Sequence, residues 1–466
     1  MENSIGYKLL LIILLLVPDS LFAQTPQSRY SRQINQDSLV LPGANDTLPK
    51  KRFYRAAGLL LATNLVPWVY DRHITNEEFA KVTMSSISYN LNPGHWAWDN
   101  DRFITNQFSH PMHGSIAFNT FRSNGYSFWQ SVPASFAGSY IWETFAERQA
   151  PSINDFVNAS IGGVAIGEMT HRLSLKLVNN RSRGINRQVN EVLALFINPV
   201  NGFNRIVDGK WGKVPAGSTR VDSSKIYAEI DMGFREYNGT NLTGNFGWSG
   251  RLKLLYGSPF EKYRTPFAYF FLNAEFGQND INEVSLINVS GSVTGWPFYI
   301  TGHTRHAGRL TINYDYHSLQ DFYYGGQSIN FNLYSSFNYS GRFPINTAIG
   351  AGPILLAALP DPYIYNERSY GYGSGAGVSV GADISFSKYL RYRINYRGGW
   401  FKIWNGNASG YSLNIITNEL GANLNENFTI YAEPGLYALK GNFLTQKDIS
   451  RTYKYLRFAL RYRINF

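Results

Sequence analysis

Cysteine is absent from this chain of 466 residues, and long apolar segments are scarce. Without cysteine, the protein can form neither a disulfide nor a thiolate-ligated metal site, and we expect no lipoprotein anchor. After the first 23 residues, no uninterrupted apolar run reaches the roughly 20 residues that a transmembrane helix needs. The nearest candidate, residues 56–70, is interrupted by Thr63, Asn64 and Pro67. These absences argue against disulfide-stabilised and helix-spanning architectures.

The amino terminus has the features of a secretory signal. Lys8 precedes the apolar run Leu9–Val17, and Leu21-Phe22-Ala23 offers a cleavage site. We therefore expect residues 1–23 to be a signal peptide that is cleaved after Ala23. Polar residues 24–50 are expected to form a flexible linker. The alternative is an uncleaved membrane anchor, which the short apolar core disfavours.

The final segment alternates strictly between apolar and polar side chains. Its apolar positions are Leu456, Phe458, Leu460, Tyr462, Ile464 and Phe466. Because successive strand residues point to opposite faces, the other face, with Arg457, Arg461 and Arg463, is basic. The segment resembles the terminal strand of outer-membrane β-barrels, which ends on Phe and helps the barrel assembly machinery recognise the chain. We accordingly treat Ala23 and Phe466 as targeting residues.

The same alternation predicts strands through the second half of the chain. The expected ranges are 225–237, 245–257, 266–278, 284–299, 307–319, 327–340, 343–358, 372–386, 389–403, 410–424, 427–440 and 453–466. This gives about 12 strands, with ten or fourteen as alternatives, and single-chain bacterial barrels have an even number. We predict an α+β membrane protein, with a helical domain over residues 51–215 and an antiparallel transmembrane β-barrel over 222–466. A soluble β-sandwich is the alternative architecture.

The strand faces that we assign to the lumen carry charges of both signs. The acidic positions are Glu229, Asp231, Asp315, Asp383 and Glu433, and the basic ones are Arg309, Arg391, Arg393, Arg397, Arg457, Arg461 and Arg463. Such groups can pair into a network that fills a narrow barrel, and any solute that passes would be an anion. We assign much of the net charge of +11 to this lumen and to contact with anionic lipid, and we expect no nucleic-acid partner.

Residues 99–176 hold the densest group of chemically active side chains. The candidate site residues are His110, His113, Glu143, Glu147, Asp155, Glu168 and His171. We expect them on three helices, over about 106–122, over about 127–147 and from 152 onward. Helical spacing places Glu143 with Glu147 and Glu168 with His171, so all of them could face one space between the helices.

Three uses of this group remain open. Glu-x-x-His at Glu168 and His171 is half of the motif of carboxylate-bridged di-iron bundles, but the second half is missing. These two residues are therefore only weak metal candidates, and we predict no metal or cofactor. An acid–base site would combine His110 or His113 with Glu143. The third use is a buried polar network, or plain helix caps, that fixes helix packing.

The motifs in this segment resemble a family known as domain of unknown function 3943, an uncharacterised group of bacterial envelope proteins. They are Asp99-Asn100, His110-Pro111, Gly114, Ser139-Tyr140-Ile141-Trp142-Glu143, Glu147, Pro151-Ser152-Ile153-Asn154-Asp155 and Gly162-Gly163-Val164-Ala165-Ile166-Gly167-Glu168. The resemblance covers roughly residues 60–175 and implies membership but no reaction.

The segment is also similar to VanZ-like and YfiM-like proteins. Asp101, His110, Glu143, Asp155, Gly162 and Gly167 take the places of their shared motif. Two positions depart from that motif, because Ala146 replaces a Gln and Ala159 replaces an Asn. VanZ-like proteins are linked to glycopeptide tolerance, so the similarity implies a role in the cell envelope.

These observations predict a protein of the cell outer membrane in contact with its lipid. Because the barrel is too narrow to contain several helices, we place the helical domain in the periplasm, against the barrel mouth or on the membrane surface. The favoured function is an anchor or narrow conduit whose helical domain binds an envelope protein, glycan or lipid. The alternative is an envelope enzyme that modifies lipid or glycan with the His and Glu side chains. No nucleophile elbow, complete zinc motif or catalytic triad favours the enzyme.

Overall fold

The computed structural model describes residues 50–214, 224–239, 244–278, 284–298, 300, 304–319, 322–339 and 343–465. The predicted signal peptide, its cleavage site at Ala23 and the linker up to residue 49 lie outside the described residues. The terminal Phe466 also lies outside them.

The first part of the described chain is helical. Its α-helices are α1 (Phe53–His73), α2 (Met84–Asn90), α3 (His110–Arg122), α4 (Phe128–Ile141), α5 (Ile153–Val157), α6 (Gly163–Val178), α7 (Gly184–Ile197) and α8 (Pro199–Val207). Side-chain caps start four of them, at Thr83, Ser127, Ser152 and Asn198. Ser127 accepts a hydrogen bond from the Gln130 N–H before α4, and Ser152 accepts one from the Asp155 N–H before α5. Among the described residues, no helix has both the length and the hydropathy of a membrane-crossing helix.

Three π-helical turns interrupt these helices. They lie at Thr105–Ser109 before α3, at Trp142–Ala146 after α4 and at Asn158–Gly162 between α5 and α6. A π-helical turn inserts one residue into the helical repeat, so it rotates every side chain that follows it.

The second part of the chain forms a closed antiparallel barrel of twelve strands, which confirms the predicted fold class. The strands are β1 (Ile226–Asn238), β2 (Asn245–Tyr256), β3 (Phe270–Gly277), β4 (Val284–Phe298), β5 (Thr304–Leu319), β6 (Phe322–Tyr339), β7 (Phe343–Tyr365), β8 (Arg368–Ser385), β9 (Leu390–Asn405), β10 (Ala408–Asn423), β11 (Phe428–Phe443) and β12 (Ile449–Asn465). The first and last strands close the barrel, with Phe234 opposite Phe458.

The ends of the barrel differ in which chain segments they carry. β1 begins and β12 ends at one end, which we call the terminus end. The β5–β6 and β7–β8 hairpins lie at the opposite end, which we call the far end.

Charged side chains fill the barrel interior toward the terminus end. Arg461 pairs with Asp231 at 2.7 Å and with Glu419 at 2.5 Å. Arg251 reaches across to Glu433 at 2.7 Å. Toward the far end, inward apolar side chains such as Tyr437 and Leu413 form a buried cluster. Side chains therefore occupy much of the described lumen, and a cavity remains beside Asp315, Ser379 and Arg397.

Much of the outer face of the barrel is apolar and exposed. Phe234 and Phe458 are more than half exposed, and each alternates with lumen residues of its strand. Trp400 on β9 also points outward and is more than half exposed. Exposure of such an apolar belt to water would cost free energy, whereas lipid acyl chains would cover it.

The helices pack along the outer wall of the barrel. Tyr314 and Tyr316 alternate with the inward Asp315, so they point outward, and both are buried in a cluster with residues of α3 and α6. Tyr370 and Tyr372 on β8 bury their rings against Trp98 and other residues of the helical region. The helical region thus contacts the outer wall of the barrel, and not the barrel mouth, which was one of its expected positions.

Candidate functional site

Three predicted site residues meet in the helical region. His110, Glu143 and Asp155 each offer a ligand atom, and these atoms lie within 4.8 Å of one another. Nε2 of His110 is 3.6 Å from Oδ2 of Asp155. Glu143 and Asp155 are only 1% and 2% exposed, whereas His110 is 9% exposed. The three side chains form a compact acid–histidine centre.

Each member of this centre lies at a π-helical turn. His110 directly follows the turn Thr105–Ser109, Glu143 lies within the turn Trp142–Ala146, and Asp155 closely precedes the third turn. Turns of this kind are frequent at functional sites because they redirect side chains that a regular helix would separate. Three separate helical segments therefore direct one side chain each to the same place.

Glycines let these segments approach closely. A Cβ atom at Gly163 would lie 2.5 Å from the carbonyl carbon of Gly114, and one at Gly167 would lie 2.7 Å from the ring of Phe118. A larger residue at either place would separate α3 from α6 and so widen the centre.

A second layer of polar residues supports the centre, and sequence reasoning did not select it as part of the site. Asn154 donates to Asp99 at 2.6 Å and to Asp155 at 2.9 Å, so it bridges the two carboxylates. Asn106 also donates to Asp99, at 2.8 Å. In the sequence, Asp99 and Asn154 stood out only as parts of the motifs that resemble domain of unknown function 3943.

The carboxylates of the centre have no Lys or Arg partner in the described chain. No Lys or Arg side chain forms an ion pair with Glu143 or Asp155 there, and the Ser152 N–H donates to Glu143 Oε2 at 2.8 Å. Within the described residues, Glu143 Oε1 and His110 Nε2 are buried without a hydrogen-bond partner. Two polar atoms of the centre are thus available to a ligand.

Burial shifts the pKa values of all three groups toward their neutral forms. It lowers the pKa of His110 to about 4. Burial, together with the nearby Glu147, raises the pKa of Glu143 well above its ordinary value. Burial and the neighbouring Asp99 do the same to the pKa of Asp155. A bound cation would reverse these shifts for the carboxyl groups, because it stabilises their charged forms.

Two other candidates lie near the centre but do not join it. Glu147 follows the second π-helical turn in an extended conformation, and its Oε1 accepts from the Trp142 indole at 2.6 Å. His113 is one turn beyond His110, where its Nε2 lies 3.1 Å from the Thr63 carbonyl oxygen. Helical spacing predicted that Glu147 and His113 would face the same space as His110 and Glu143, but in the structure their side chains point elsewhere.

The remaining pair lies at the other end of the helices. Glu168 binds Arg122 at 2.7 Å and Arg172 at 2.9 Å, so its charge is compensated. His171 lies 3.4 Å from the hydroxyl of Ser123. Among the described residues, the group that could hold a metal ion is His110, Glu143 and Asp155, and it includes neither Glu168 nor His171.

The centre lies beside the barrel wall. The Tyr370 hydroxyl accepts from Asn106 at 2.8 Å and donates to the Asp101 carbonyl at 2.5 Å. The Gln107 side chain covers Gly325, where a Cβ atom would lie 2.3 Å from its Oε1. The wall therefore helps to hold the segment that leads into His110.

Most residues assigned to the lumen form ion pairs there. The pairs are Arg393–Glu229 at 2.7 Å, Arg397–Asp315 at 3.0 Å, Arg457–Glu433 at 2.9 Å, Arg463–Glu229 at 3.7 Å and Arg391–Asp383. Arg309 differs, because it donates to the carbonyl oxygens of Pro259 and Glu261. The prediction omitted Arg251, Glu275 and Glu419, although Arg251 alternates with apolar neighbours as the others do.

The fold defines an outer-membrane β-barrel with helices packed on its outer wall. Residues 95–200 match the family described as Domain of unknown function (DUF3943), which confirms the predicted resemblance. The match includes His110, Glu143 and Asp155. The similarity to VanZ-like proteins stays a prediction. A search of curated proteins found no match to this chain.

Solved barrels resemble the strand half at low identity. The NanC porin is 9% identical with a TM-score of 0.30, over 50% of this chain and 98% of that one. The KdgM porin is 13% identical with a TM-score of 0.24, over 50% and 98%. OmpT of Vibrio cholerae is 8% identical with a TM-score of 0.23, over 53% and 100%.

Proposed function

We propose that the helical region is an envelope enzyme, that the closed barrel is its anchor, and that a divalent cation binds at His110, Glu143 and Asp155. The observation that carries this proposal is the convergence of the three ligand atoms within 4.8 Å, without a Lys or Arg partner in the described chain. Two buried carboxylates without a cation cost free energy unless they are protonated. A bound cation removes that cost.

The donor set fits this cation. One imidazole and two carboxylates are ligands that Zn²⁺, Fe²⁺ and Mn²⁺ accept, and three protein ligands leave positions for water and substrate. A cation at such a site activates water or polarises an oxygen atom of the substrate. Asn154 and Asp99 would orient Asp155 from outside, as carboxylates and amides commonly do around metal ligands.

The barrel supports the anchor part of the proposal. Arg251, Arg457 and Arg461 are each at most 4% exposed within the lumen, and a buried apolar cluster follows toward the far end. A conduit needs a continuous aqueous path, whereas these side chains occupy the lumen on both sides of the cavity beside Asp315 and Arg397. The barrel therefore holds the helices at the membrane rather than conducting a solute.

A second candidate function is a scaffold whose polar centre only fixes helix packing. The strong burial of Glu143 and Asp155 favours it, because an enzyme site must admit substrate. The two functions differ in their response to conservative changes. A scaffold tolerates Glu143→Gln if folding is preserved, whereas a metal centre does not.

The test measures metal content and complementation in the same variants. Cells lacking the protein would receive the wild type, His110→Ala, Glu143→Gln or the control His113→Gln, which changes a neighbouring half-buried histidine outside the centre. We expect about one divalent cation per chain and growth under envelope stress for the wild type and the control. Both should be lost in the other two variants at normal outer-membrane abundance. Retained growth in Glu143→Gln would overturn the enzyme proposal.

A further inference from the structure

The charges of the helical region lie in two layers. The first layer lies near the far end of the barrel, and the second lies near the terminus end. The far layer contains Asp71, Asp99, Glu143, Glu147 and Asp155. The near layer contains Arg52, Arg55, Arg122, Glu168, Arg172 and Asp208. Tyr370 contacts Asp101 beside the far layer, and Lys176 reaches the Ser224 carbonyl just before β1 beside the near layer.

The helical segments between these layers carry no Asp, Glu, Lys or Arg. The uncharged segments are 56–70, 111–121, 123–142 and 156–167. At 1.5 Å per residue, the helical paths from Arg55 to Asp71, from His110 to Arg122 and from Asp155 to Glu168 reach roughly 18–24 Å, which is close to the roughly 25 Å height of the apolar band of an outer-membrane barrel. The two charged layers are thus separated by about the distance between the two interfaces of a membrane.

The outward faces of two helices are apolar across this uncharged zone. On α1, Leu61 and Leu65 are more than half exposed, and Val66 is 66% exposed. On α4, the exposed positions Trp129, Pro133, Ala137 and Tyr140 follow one another at helical spacing. The polar residues of these helices, such as Asn64 and Ser135, point inward, where each makes a hydrogen bond.

We propose that the helices are immersed in the outer membrane beside the barrel, with these faces of α1 and α4 against lipid acyl chains. The main reason is continuity. The inner helices cover outward apolar residues of the barrel wall such as Tyr314, while neighbouring outward residues such as Phe331 and Trp296 stay exposed as part of the barrel's lipid belt. A domain that covers part of this belt at the same depth presents its own outer face to the same lipid.

The part of the helical region that lies beside the terminus end of the barrel supports this placement. On α8, Phe203, Ile206 and Val207 are exposed, whereas Asn201 and Arg205 of the same helix are buried. An exposed apolar face on a short helix beside a charged layer is typical of a helix at a membrane interface.

The position of the acid–histidine centre in the membrane indicates the substrate class of the proposed enzyme. This part of the inference rests on the proposed function. His110, Glu143 and Asp155 belong to the far layer and so lie at one membrane interface, beside the β7–β8 hairpin end of the barrel. The groups of a membrane lipid that occupy this depth are its headgroup and ester linkages. A lipid would reach the centre sideways from the bilayer, without passing through the barrel.

Because the chain has no cysteine, single substitutions can report the environment of each face. Purified Ala137→Cys and Leu65→Cys would be reconstituted into phospholipid vesicles and treated with a charged, membrane-impermeant maleimide. Ser85→Cys on α2 is the control, because Ser85 is exposed and lies on the side of the far layer. We expect Ala137→Cys and Leu65→Cys to react at least about tenfold more slowly than Ser85→Cys, and all three to react alike in urea.

A second measurement distinguishes lipid from other molecules that could cover the faces of α1 and α4. The Ala137→Cys and Ser85→Cys variants would each carry a bimane fluorophore in vesicles whose acyl chains bear bromine, which quenches only at contact. We expect quenching at position 137 and little at position 85. Equal maleimide rates in the folded protein would overturn immersion, as would protection without quenching, which would indicate a second copy of the chain. Neither result depends on catalysis, so the proposed enzyme would still be judged by its own test.

Discussion

Gly114 and Ala159 meet backbone to backbone, because a Cβ atom at Gly114 would lie 1.8 Å from the Ala159 carbonyl oxygen. Gly114 lies on α3, one turn beyond His110, and Ala159 lies in the π-helical turn that follows Asp155. The contact therefore sets the spacing between two of the three segments that build the acid–histidine centre.

Gly114→Ala tests this spacing. The added methyl group must push the two segments apart, and we expect a loss of about 1–3 kcal/mol in the free energy of unfolding. Metal content should fall as well. The matched control is Gly58→Ala on α1, where a Cβ atom meets nothing within 4 Å. That variant should gain about 0.5–1 kcal/mol, because alanine favours a helix interior. Equal stabilities of the two variants would contradict the contact.

The metal proposal predicts a specific response to added cation. Ligands that bind only the folded state raise Tm with concentration. Purified protein stripped with a chelator should therefore gain thermal stability with Zn²⁺ or Mn²⁺, measured by heat-dependent gel migration. Glu143→Gln should gain much less, whereas His113→Gln should gain as much as the wild type. A similar gain in Glu143→Gln would show that the cation binds elsewhere.

The pH dependence of stability reports the buried acid Glu147. Burial raises the pKa of Glu147 to about 8, from an ordinary value of 4.5. The folded protein keeps a proton there that the unfolded chain releases, so this stabilisation is full below about pH 4.5 and is lost as pH rises through about 8. We expect Tm to fall between about pH 6.5 and 8.5, and to fall less in Glu147→Gln.

The chosen pH range avoids the opposite contribution of His110. Burial lowers the pKa of His110 to about 4, so the folded state loses stability from this group as pH falls from about 6.5 toward 4, and the group has no such effect above about pH 6.5. In protein stripped of cation, Glu143 and Asp155 keep raised pKa values in the Glu147→Gln variant, so a part of the decline should remain. Parallel curves for wild type and variant would contradict the raised pKa of Glu147.

The lumen network predicts both stability and a closed barrel. Arg461 is fully buried between Asp231 and Glu419, so Arg461→Met removes the cation between two buried carboxylates and should cost about 3–5 kcal/mol. Lys388→Met in an exposed turn is the control and should change stability by less than about 0.5 kcal/mol. The wild-type protein should give no steady conductance in planar bilayers. A stable open channel would contradict the anchor.

The sequence predicted the barrel closely for a simple physical reason. A strand with lipid on one side and a polar lumen on the other has a strict two-residue period, and each predicted strand corresponds to one of β1 to β12. Several ends differ, by up to seven residues at the end of β7. Ten or fourteen strands are excluded. The expected helices over about 106–122, over about 127–147 and from 152 onward likewise correspond to α3, to α4 and to α5 with α6.

The centre was only partly predictable. His110, Glu143 and Asp155 were candidates, but regular helical spacing placed Glu143 with Glu147. The π-helical turn at Trp142–Ala146 breaks that spacing, and it has no sequence signature that the pattern analysis could use.

The position of the helices on the outer wall of the barrel could not be predicted from the sequence either. An outward apolar residue looks the same whether it faces lipid or protein. The outward tyrosines were a usable clue, because the Tyr314 and Tyr370 hydroxyls at this depth need partners, and they find them on the helices and the segment before them.

The most direct test of the central claim compares envelope lipids by mass spectrometry. Lipid extracts would come from cells lacking the protein that carry the wild type, Glu143→Gln or His113→Gln at equal outer-membrane abundance. The account predicts a lipid species that changes in abundance with the wild type and His113→Gln but remains at the level of the deletion strain with Glu143→Gln. Identical lipid profiles with the wild type and Glu143→Gln would contradict a lipid-modifying centre at His110, Glu143 and Asp155.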